Sequence, residues 1–185
     1  MNSSFTEGNM IWIVMGIITL LMGILLGFVA PNLIHLVWFS AGDLIHIKTP
    51  SISNILFGTG ILLLSIFCFV MYFKAKKAKI AAAVLVMVSV ALLAVSITNY
   101  SVLRDERIVH NEFLSLNAEE YQWSDVEEAK LLKRNDDIPY ETLVLTLNNG
   151  VELDFERGPS MDKQQFDKID FILQSHGVMY ELTNR

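Results

Sequence analysis

Three side chains between residues 35 and 46 are of the types that bind metal ions: His35, Asp43 and His46. Imidazole nitrogens and carboxylate oxygens are common ligands of transition metals. Asp43 and His46 are three positions apart, so they would share one face of a helix. A metal site, however, needs several converging ligands, and the chain has only four histidines. We therefore predict that these residues form a polar face, and that the chain holds no metal or cofactor.

Adjacent acidic residues are the second feature that could do chemistry, because paired carboxylates can act as acid and base or bind calcium. The pairs lie in polar segments, and their spacing matches neither catalytic carboxylates nor a calcium-binding loop. The sequence also has no nucleophile-elbow pattern and no glycine-rich phosphate loop. We therefore predict solvent-exposed charge and no enzyme; catalysis would need a pocket of converging polar groups near His110 or His176. The acidic pairs are Glu119-Glu120, Glu127-Glu128 and Asp136-Asp137.

Charge divides the chain into two parts. Residues 1–97 carry five Lys against two acidic residues, whereas residues 98–185 carry nine Lys or Arg against eighteen Asp or Glu. An apolar, cationic part joined to an acidic, polar part is typical of a membrane anchor followed by a soluble domain. We therefore predict an anchor over residues 1–97 and a soluble domain over residues 98–185. The acidic charge argues against nucleic acid as a partner, since nucleic acids bind basic surfaces.

Three apolar segments contain no charged residue: Met10–Ala30, Ile55–Phe73 and Ile80–Ile97. A helix crosses the hydrocarbon of a bilayer with about 17 to 25 apolar residues, and all three segments have this length. We therefore predict three transmembrane helices, which make the chain a multi-pass protein of the cell membrane.

The segment between the first two apolar runs, residues 32–47, has a different pattern. Its apolar residues fall at helical spacing, while Asn32, His35, Asp43 and His46 take the other side. This pattern predicts an amphipathic helix in the membrane interface, with Trp38 at the depth of the headgroups. The alternative is that the first transmembrane helix continues past Pro31.

A lysine cluster lies in the short segment between the second and third apolar runs: Lys74, Lys76, Lys77 and Lys79. Positive charge in short loops stays in the cytoplasm. We therefore predict a cytoplasmic N-terminus and, after three membrane crossings, an extracytoplasmic domain. Lys48, Arg104 and Arg107 favour the opposite orientation, but they are fewer and less clustered.

Small residues form a stripe along the first apolar run at Gly16, Gly23 and Gly27. Such stripes let transmembrane helices pack closely. We interpret this stripe as packing within the three-helix bundle, with a homo-oligomer contact as the alternative.

A β-hairpin is the clearest element of the acidic part. Its first strand has leucines at 143, 145 and 147, and its second has apolar residues at 151, 153 and 155. A two-residue turn would place Leu147 opposite Glu152, whereas a three-residue loop places every apolar residue opposite another. We therefore predict the three-residue loop, with Gly150 in the left-handed conformation.

The other elements of the acidic part are shorter. Two strands flank Asp105-Glu106, and a third carries Tyr121 and Trp123 as core residues on one face. Ser124 and Glu127 fit a capping box that begins one helical turn. A final amphipathic helix runs from an N-cap at Ser160 to His176. Strands followed by one helix predict a small α+β domain.

Four stretches of the acidic part, in a fixed order, carry a resemblance to a known kind of domain: Arg107-Ile108-Val109, Tyr121–Ala129, the hairpin LVLTLNNGVELDF and the helix Ser160–His176. Their order resembles that of the pleckstrin-homology-like (PH-like) domains that follow membrane helices in many uncharacterised bacterial membrane proteins. The resemblance implies a seven-stranded antiparallel barrel closed by a C-terminal helix, and residues 98–185 are a short stretch for such a barrel. It does not extend to the binding of lipid headgroups, because their recognition needs clustered Lys and Arg.

These patterns together predict a non-enzymatic membrane protein whose acidic domain binds a protein with a basic surface. The alternative is an immunity or stress-resistance protein that acts through its transmembrane helices. An acidic surface attracts cations, and we expect the contact surface on the acidic strands and on the loop from residue 136 to 141. The predicted contact residues are Asp136, Asp137, Tyr140 and Glu141.

Overall fold

The computed structural model describes residues 7–135, 138–158 and 161–183. The chain forms two compact units. The helical unit comprises Met1–Val37 and Thr49–Asn99, and the sheet unit comprises Trp38–Lys48 and Tyr100–Arg185. Each unit is therefore made of two separate stretches of the sequence, and the architecture is a mixture of apolar helices and a small domain of sheets.

Four helices precede the second stretch of the sheet unit: α1, Glu7–Leu26; α2, Ala30–Phe39; α3, Ser51–Met71; and α4, Lys76–Ser96. Helices α3 and α4 are each long and apolar enough to cross a membrane. Helix α1 from Met10 meets the same criterion only together with α2, and these two helices are bent by 65° at the break between them. The described residues thus hold two helices that could span a membrane, or three if the bent pair is one span.

Glycines and serines lie where the apolar helices approach one another. A Cβ atom on Gly16 would lie 2.8 Å from Phe69, and one on Gly27 would lie 3.1 Å from the Cα of Gly58. The Ser65 hydroxyl donates to the Gly16 carbonyl at 2.8 Å. Such close approach with side-chain-to-backbone hydrogen bonds is typical of helices packed in lipid. The glycine stripe of α1, which includes Gly23 against Ile61, thus packs on α3.

The prediction of one amphipathic helix over residues 32–47 is wrong beyond Phe39. Helix α2 ends there, Gly42 has a φ of +76°, and Leu44–Lys48 is a strand, β1. The bend before α2 also means that the first apolar helix does not continue straight past Pro31. Hydrogen bonds to a strand more than fifty residues later hold β1 in place. The periodicity of a single segment gives no information about such a distant partner.

Among the described residues, seven further strands and one helix complete the sheet unit: β2, Tyr100–Arg104; β3, Arg107–Asn111; β4, Glu119–Gln122; β5, Val126–Leu132; β6, Glu141–Leu147; β7, Glu152–Arg157; α5, Lys163–Ser175; and β8, Tyr180–Thr183. One sheet has the order β1-β2-β3-β4, and the other has the order β7-β6-β5-β8. All neighbouring strands are antiparallel except β5 and β8, which are parallel.

The hairpin of β6 and β7 has the predicted register. Leu143 pairs with Phe155 and Leu145 pairs with Leu153. The Leu147 amide donates to the Val151 carbonyl at 2.9 Å, and Gly150 has a φ of +83°. The three-residue loop and its left-handed glycine are therefore confirmed.

Two predictions about helix starts are wrong. The helix cap of α5 is Asp162, whose carboxylate accepts from the Gln165 amide at 2.8 Å; Ser160 lies outside the described residues. The short turn expected from Ser124 and Glu127 is instead a 3₁₀ turn, Trp123–Asp125, where Asp125 accepts from the Gln122 amide. In both places the side chain that lies in reach of the free amides makes the cap.

One apolar core lies inside the sheet unit. It takes Ile45 from β1, Trp123 after β4 and Phe155 from β7, and all are at most 3% exposed. Helix α5 contributes Phe166, Ile169 and Leu173 to the same cluster. The predicted core positions of Tyr121 and Trp123 are confirmed, and the strand that sequence reasoning missed carries part of this core.

Candidate binding pockets of the sheet unit

A cavity of about 270 Å³ lies beside the end of β3, and we call it the His110 pocket. Strand β3 supplies His110, and β4 supplies Glu119, which pairs directly with His110 across the sheet. The β3–β4 loop supplies Glu112, and the start of β7 supplies Glu152. The complete lining is His110, Glu112, Ser115, Asn117, Glu119, Val151 and Glu152.

Carboxylates give the His110 pocket a negative charge. The Tyr121 hydroxyl donates to Glu119, and the Asn149 amide donates to the Tyr121 oxygen at 3.0 Å, which fixes that corner. Glu112 and Glu152 form no ion pair within the described part of the chain. Unpaired carboxylates around a concave surface favour the entry of a cation, since the cavity walls focus their field.

The imidazole of His110 is the one nitrogen base in this pocket. Its Nδ1 lies 3.0 Å from the Ser101 hydroxyl on the neighbouring strand. Burial lowers the pKa of His110, while the nearby Glu112 and Glu119 act in the opposite direction. A histidine with a lowered pKa is neutral near pH 7, so the net charge of the pocket is that of its carboxylates.

The hydroxyls around His110 do not form a nucleophilic site. Ser101 is only 5% exposed and lies within β2. The Ser115 hydroxyl donates to the Asn117 carbonyl at 2.8 Å, so it closes a local turn. Among the described residues, no three His, Cys, Asp or Glu side chains converge as metal ligands. The arrangement is suited to holding an ammonium or guanidinium group, which needs only carboxylates and space.

The His110 pocket was not predicted from the sequence, from which we expected no pocket of converging polar groups. Part of the pocket could have been predicted from a short stretch of sequence, because His110 and Glu112 are two positions apart and so project from the same face of an extended chain. Glu119 and Glu152 arrive only through the pairing of β3 with β4 and the approach of β7. Periodicity along one segment cannot reveal that convergence.

Two of the predicted contact residues, Tyr140 and Glu141, line a second cavity of about 460 Å³. The other two, Asp136 and Asp137, fall outside the described residues. Glu141 is bonded to Arg157 at 2.7 Å, and the Arg157 guanidinium lies 4.3 Å from the Phe166 ring centre. The lining also contains Arg134, Asp162 and Lys163. The described part of this loop region is therefore mixed in charge.

The three residues with metal-ligand chemistry have other partners. His35 lies in the helical unit, with Nδ1 2.7 Å from the Thr49 hydroxyl and Nε2 2.9 Å from the Ile97 carbonyl. In the sheet unit, Asp43 is bonded to Arg104 at 2.5 Å. His46 packs edge-on against Phe155, and burial lowers its pKa to about 4. Each side chain therefore has a structural contact of its own.

The lysine cluster lies around the start of α4. Lys76 begins the helix, Lys77 and Lys79 follow in its first turn, and Lys74 precedes it; all four are exposed. Cations at a helix N-terminus are unfavourable, because the helix dipole is positive there. The helix dipole therefore gives no reason for this placement of the lysines.

Neither a protein-family model nor a curated protein matches this chain. The feature with the most definite chemistry is the His110 pocket, a concave surface with three carboxylates in its lining.

Proposed function

We propose that this chain is a multi-pass membrane protein whose sheet unit is a PH-like domain that binds a basic protein partner. In this proposal α1, α3 and α4 are the three transmembrane helices. In this proposal the function stays non-enzymatic although a polar pocket adjoins His110, because the Ser101 hydroxyl is buried and the Ser115 hydroxyl closes a local turn. The partner supplies Lys or Arg side chains. The observation that carries the proposal is the concentration of Glu112, Glu119 and Glu152 around one cavity.

Membrane insertion is supported by length and exposure. Helices α3 and α4 each have 21 residues, and their apolar windows have mean hydropathies of 2.2 and 2.5. Large apolar side chains remain exposed on them, among them Ile55, Ile80 and Val90 at 58–60%. Such surfaces are stable in hydrocarbon and costly in water.

The pairing of β1 with β2 supports the proposed orientation in the membrane. Lys48 at the end of β1 pairs with Ser101 in β2, and α3 and α4 lie between them in the sequence. Because paired strands lie on one side of a membrane, the two helices between them make a hairpin that crosses and returns. The lysine cluster at its tip then lies on the opposite side, which the positive-inside rule assigns to the cytoplasm. In this proposal the sheet unit is therefore extracytoplasmic, and the N-terminus is cytoplasmic.

Cysteine labelling tests this orientation in intact cells. In a Cys68→Ser background, we expect Glu106→Cys, in the exposed β2–β3 turn, to react with a membrane-impermeant thiol reagent. Lys77→Cys, in the lysine cluster, should react only after lysis. The reverse pattern would place the domain in the cytoplasm, and equal labelling of both positions in intact cells would contradict a membrane hairpin.

The PH-like proposal is supported by the order of elements. Strands β1–β4 form one sheet, β5–β7 belong to the other, and α5 follows them. Seven strands followed by a helix is the order that the resemblance implies. The strand that residues 98–185 could not supply is β1, which precedes the helical hairpin in the sequence. The domain in this proposal is a PH-like fold with α3 and α4 inserted between its first two strands, and β8 is an addition to it.

Binding to a simple cation-rich probe tests the function. We expect the full chain in phosphatidylcholine nanodiscs to bind a hexalysine peptide in low salt. The double variant Glu112→Gln/Glu152→Gln should bind it roughly tenfold more weakly, because carboxylates that share one concave surface focus their field on a bound cation.

The matched control is Glu127→Gln/Glu181→Gln, which changes the net charge equally at exposed positions away from the pocket. We expect this control to lose much less than tenfold in affinity. An equal loss in both variants would mean that overall charge attracts the peptide, and the His110 pocket would then have no binding role.

A second candidate function is action within the bilayer, such as protection of the membrane. It is favoured by a groove of about 380 Å³ between α1 and α3, where the Asn54 amide oxygen is buried without a partner in the described residues. Deletion of residues 98–185 would not separate the two candidates cleanly, because it would leave β1 unpaired. The pocket variant does so: a protective activity that survives Glu112→Gln/Glu152→Gln belongs to the helices.

A further inference from the structure

The β3–β4 loop exposes three large apolar side chains. Phe113, Leu114 and Leu116 are 43%, 64% and 89% exposed. Single exposed apolar residues are ordinary on protein surfaces, but three within four positions concentrate exposed apolar surface in one loop, and such concentrations mark interaction sites. We call these three residues the apolar loop.

The apolar loop and the His110 pocket belong to the same segment of chain. Glu112, Ser115 and Asn117 line the pocket, and the apolar residues lie between them along the loop. A partner that reaches the pocket therefore also meets the apolar side chains. The two features form one surface with an acidic depression and an apolar border.

The charge around the loop discriminates between a bilayer and a protein as its occupant. Loops and helices that insert into membranes combine apolar residues with Lys or Arg, which attract anionic lipids. Here the sequence has no Lys or Arg between Arg107 and Lys130, and Arg107 is bonded to Glu120 at 3.0 Å. Glu112 and Glu119, at the two ends of the loop, would be repelled by an anionic membrane. The surface is complementary instead to a segment that is both apolar and cationic.

We infer that the apolar loop and the His110 pocket together bind a basic amphipathic segment of the partner protein. The apolar face of that segment packs on Phe113, Leu114 and Leu116, and one of its Lys or Arg side chains enters the pocket. An amphipathic helix presents both kinds of side chain at neighbouring positions. This inference rests on the proposed function of the pocket and adds the form of the partner.

Binding of two peptides tests the role of the apolar loop separately from the proposed function of the His110 pocket. One is hexalysine, and the other is an 18-residue peptide of Leu and Lys, with its leucines at helical spacing. We expect the full chain in phosphatidylcholine nanodiscs to bind the Leu/Lys peptide at least tenfold more tightly than hexalysine, after subtraction of binding to empty nanodiscs. Burial of even one large apolar side chain is worth roughly tenfold in affinity.

The decisive variant is Phe113→Ser/Leu116→Ser. We expect its affinity for the Leu/Lys peptide to fall about tenfold, while its affinity for hexalysine stays unchanged. The matched control is Phe171→Ser/Met179→Ser, which removes two apolar residues that are 73% and 82% exposed elsewhere on the sheet unit. This control should bind both peptides as the unsubstituted chain does.

Each other outcome has a definite meaning. If the loop variant binds the Leu/Lys peptide with unchanged affinity, the inference is overturned and the proposed function stands. If Glu112→Gln/Glu152→Gln and its control bind hexalysine with equal affinity, the proposed function of the pocket is itself contradicted. If the loop variant also loses hexalysine binding, the single variant Leu116→Ser decides, because a side chain that is 89% exposed does not support the pocket.

A fluorescent probe tests the bilayer as the occupant. An environment-sensitive dye on Leu116→Cys, in a Cys68→Ser background, should shift to shorter wavelength when the Leu/Lys peptide is added. A shift in nanodiscs without peptide, absent from the chain in amphipol, would place the loop in lipid and overturn the inference.

Discussion

The helical and sheet units keep their shape by different physical means. The sheet unit has a continuous apolar core, in which Trp123, Phe155 and Leu145 are at most 1% exposed. The helical unit instead exposes apolar side chains and buries small polar ones, such as Ser65 and Ser89, which are at most 1% exposed. Helices in lipid gain little from burying apolar surface, because the lipid tails are equally apolar.

Buried hydroxyls illustrate the difference. The Ser89 hydroxyl donates to the Gly60 carbonyl at 2.6 Å, and the Ser65 hydroxyl reaches Gly16 in the same way. Close packing of glycines and hydrogen bonds to carbonyls thus hold α1, α3 and α4 together. We therefore expect the two units to respond oppositely to the same kinds of substitution.

Truncation of a large side chain should give the largest contrast. We expect Trp123→Ala to lower the free energy of unfolding of the sheet unit by about 3–5 kcal/mol, because it leaves a cavity in the core. It also removes the donor to the Arg104 carbonyl at 2.9 Å. Leu25→Ala on α1, where the side chain is 70% exposed, should cost less than about 0.5 kcal/mol. Thermal unfolding in detergent, followed by near-ultraviolet circular dichroism, measures both; comparable losses would contradict the contrast.

Acid should weaken the sheet unit through His46. Burial lowers its pKa to about 4 from an ordinary value of 6.5, so the folded state favours the neutral ring. The stability that the folded state gains from a neutral ring is fully present above pH 6.5. It is lost as the pH falls towards 4, which lowers the free energy of unfolding by about 2–3 kcal/mol.

The matched variant for this pH effect is His46→Leu, which cannot take up the proton. Its unfolding temperature should fall less between pH 7 and pH 4.5 than that of the unsubstituted chain. Parallel falls in the two proteins would show that carboxylates alone cause the acid sensitivity.

Two glycines of α3 test the packing of the helical unit. A Cβ atom on Gly60 would lie 2.9 Å from Leu93 and 3.3 Å from the Ser89 carbonyl, whereas one on Gly58 would meet nothing closer than 3.7 Å. We expect Gly60→Ala to destabilise the unit by about 1–3 kcal/mol through overpacking. Gly58→Ala should be neutral or slightly stabilising, since alanine favours helix. Equal unfolding temperatures in detergent for these two variants would contradict the close α3–α4 contact.

The smallest expected effect concerns Leu114, which has a φ of +69°. This conformation is unfavourable for a side chain with a Cβ atom. Leu114→Gly should therefore stabilise the sheet unit by about 0.5–1 kcal/mol and weaken binding of the Leu/Lys peptide. Leu116→Gly, at an ordinary φ, should weaken binding without the gain in stability. Stabilisation of both variants would argue against conformational strain at Leu114.

Local patterns were sufficient where neighbours in sequence are also neighbours in space. The register of β6 with β7 followed from alternating leucines and from the need to pair Leu147 with Val151, and the structure has that pairing. The amphipathic stripe of Phe166, Ile169 and Leu173 likewise predicted α5. The cap was misplaced because Ser and Asp are both favoured N-cap residues, and the sequence alone does not rank Asp162 against Ser160.

Those local patterns could not predict the pairing of strands that are far apart in the sequence. The residues of β1 have apolar spacing that also suits a helix, and only the hydrogen bonds from β2 make them a strand. The His110 pocket has the same origin, since Glu119 and Glu152 reach His110 through β4 and β7. The glycine stripe was correctly interpreted as packing within the bundle, but its partners Phe69, Ile61 and Gly58 could not be named.

The sequence by itself determined the apolar helices, the acidic composition of the second part and the hairpin, because each depends on the periodicity or charge of one continuous segment. The tertiary structure alone decided that residues 44–48 belong to the sheet unit. It also decided that four carboxylate and imidazole side chains from different elements share one cavity. Strand pairing joins residues far apart in the chain, and its free energy depends on a partner that no single segment contains.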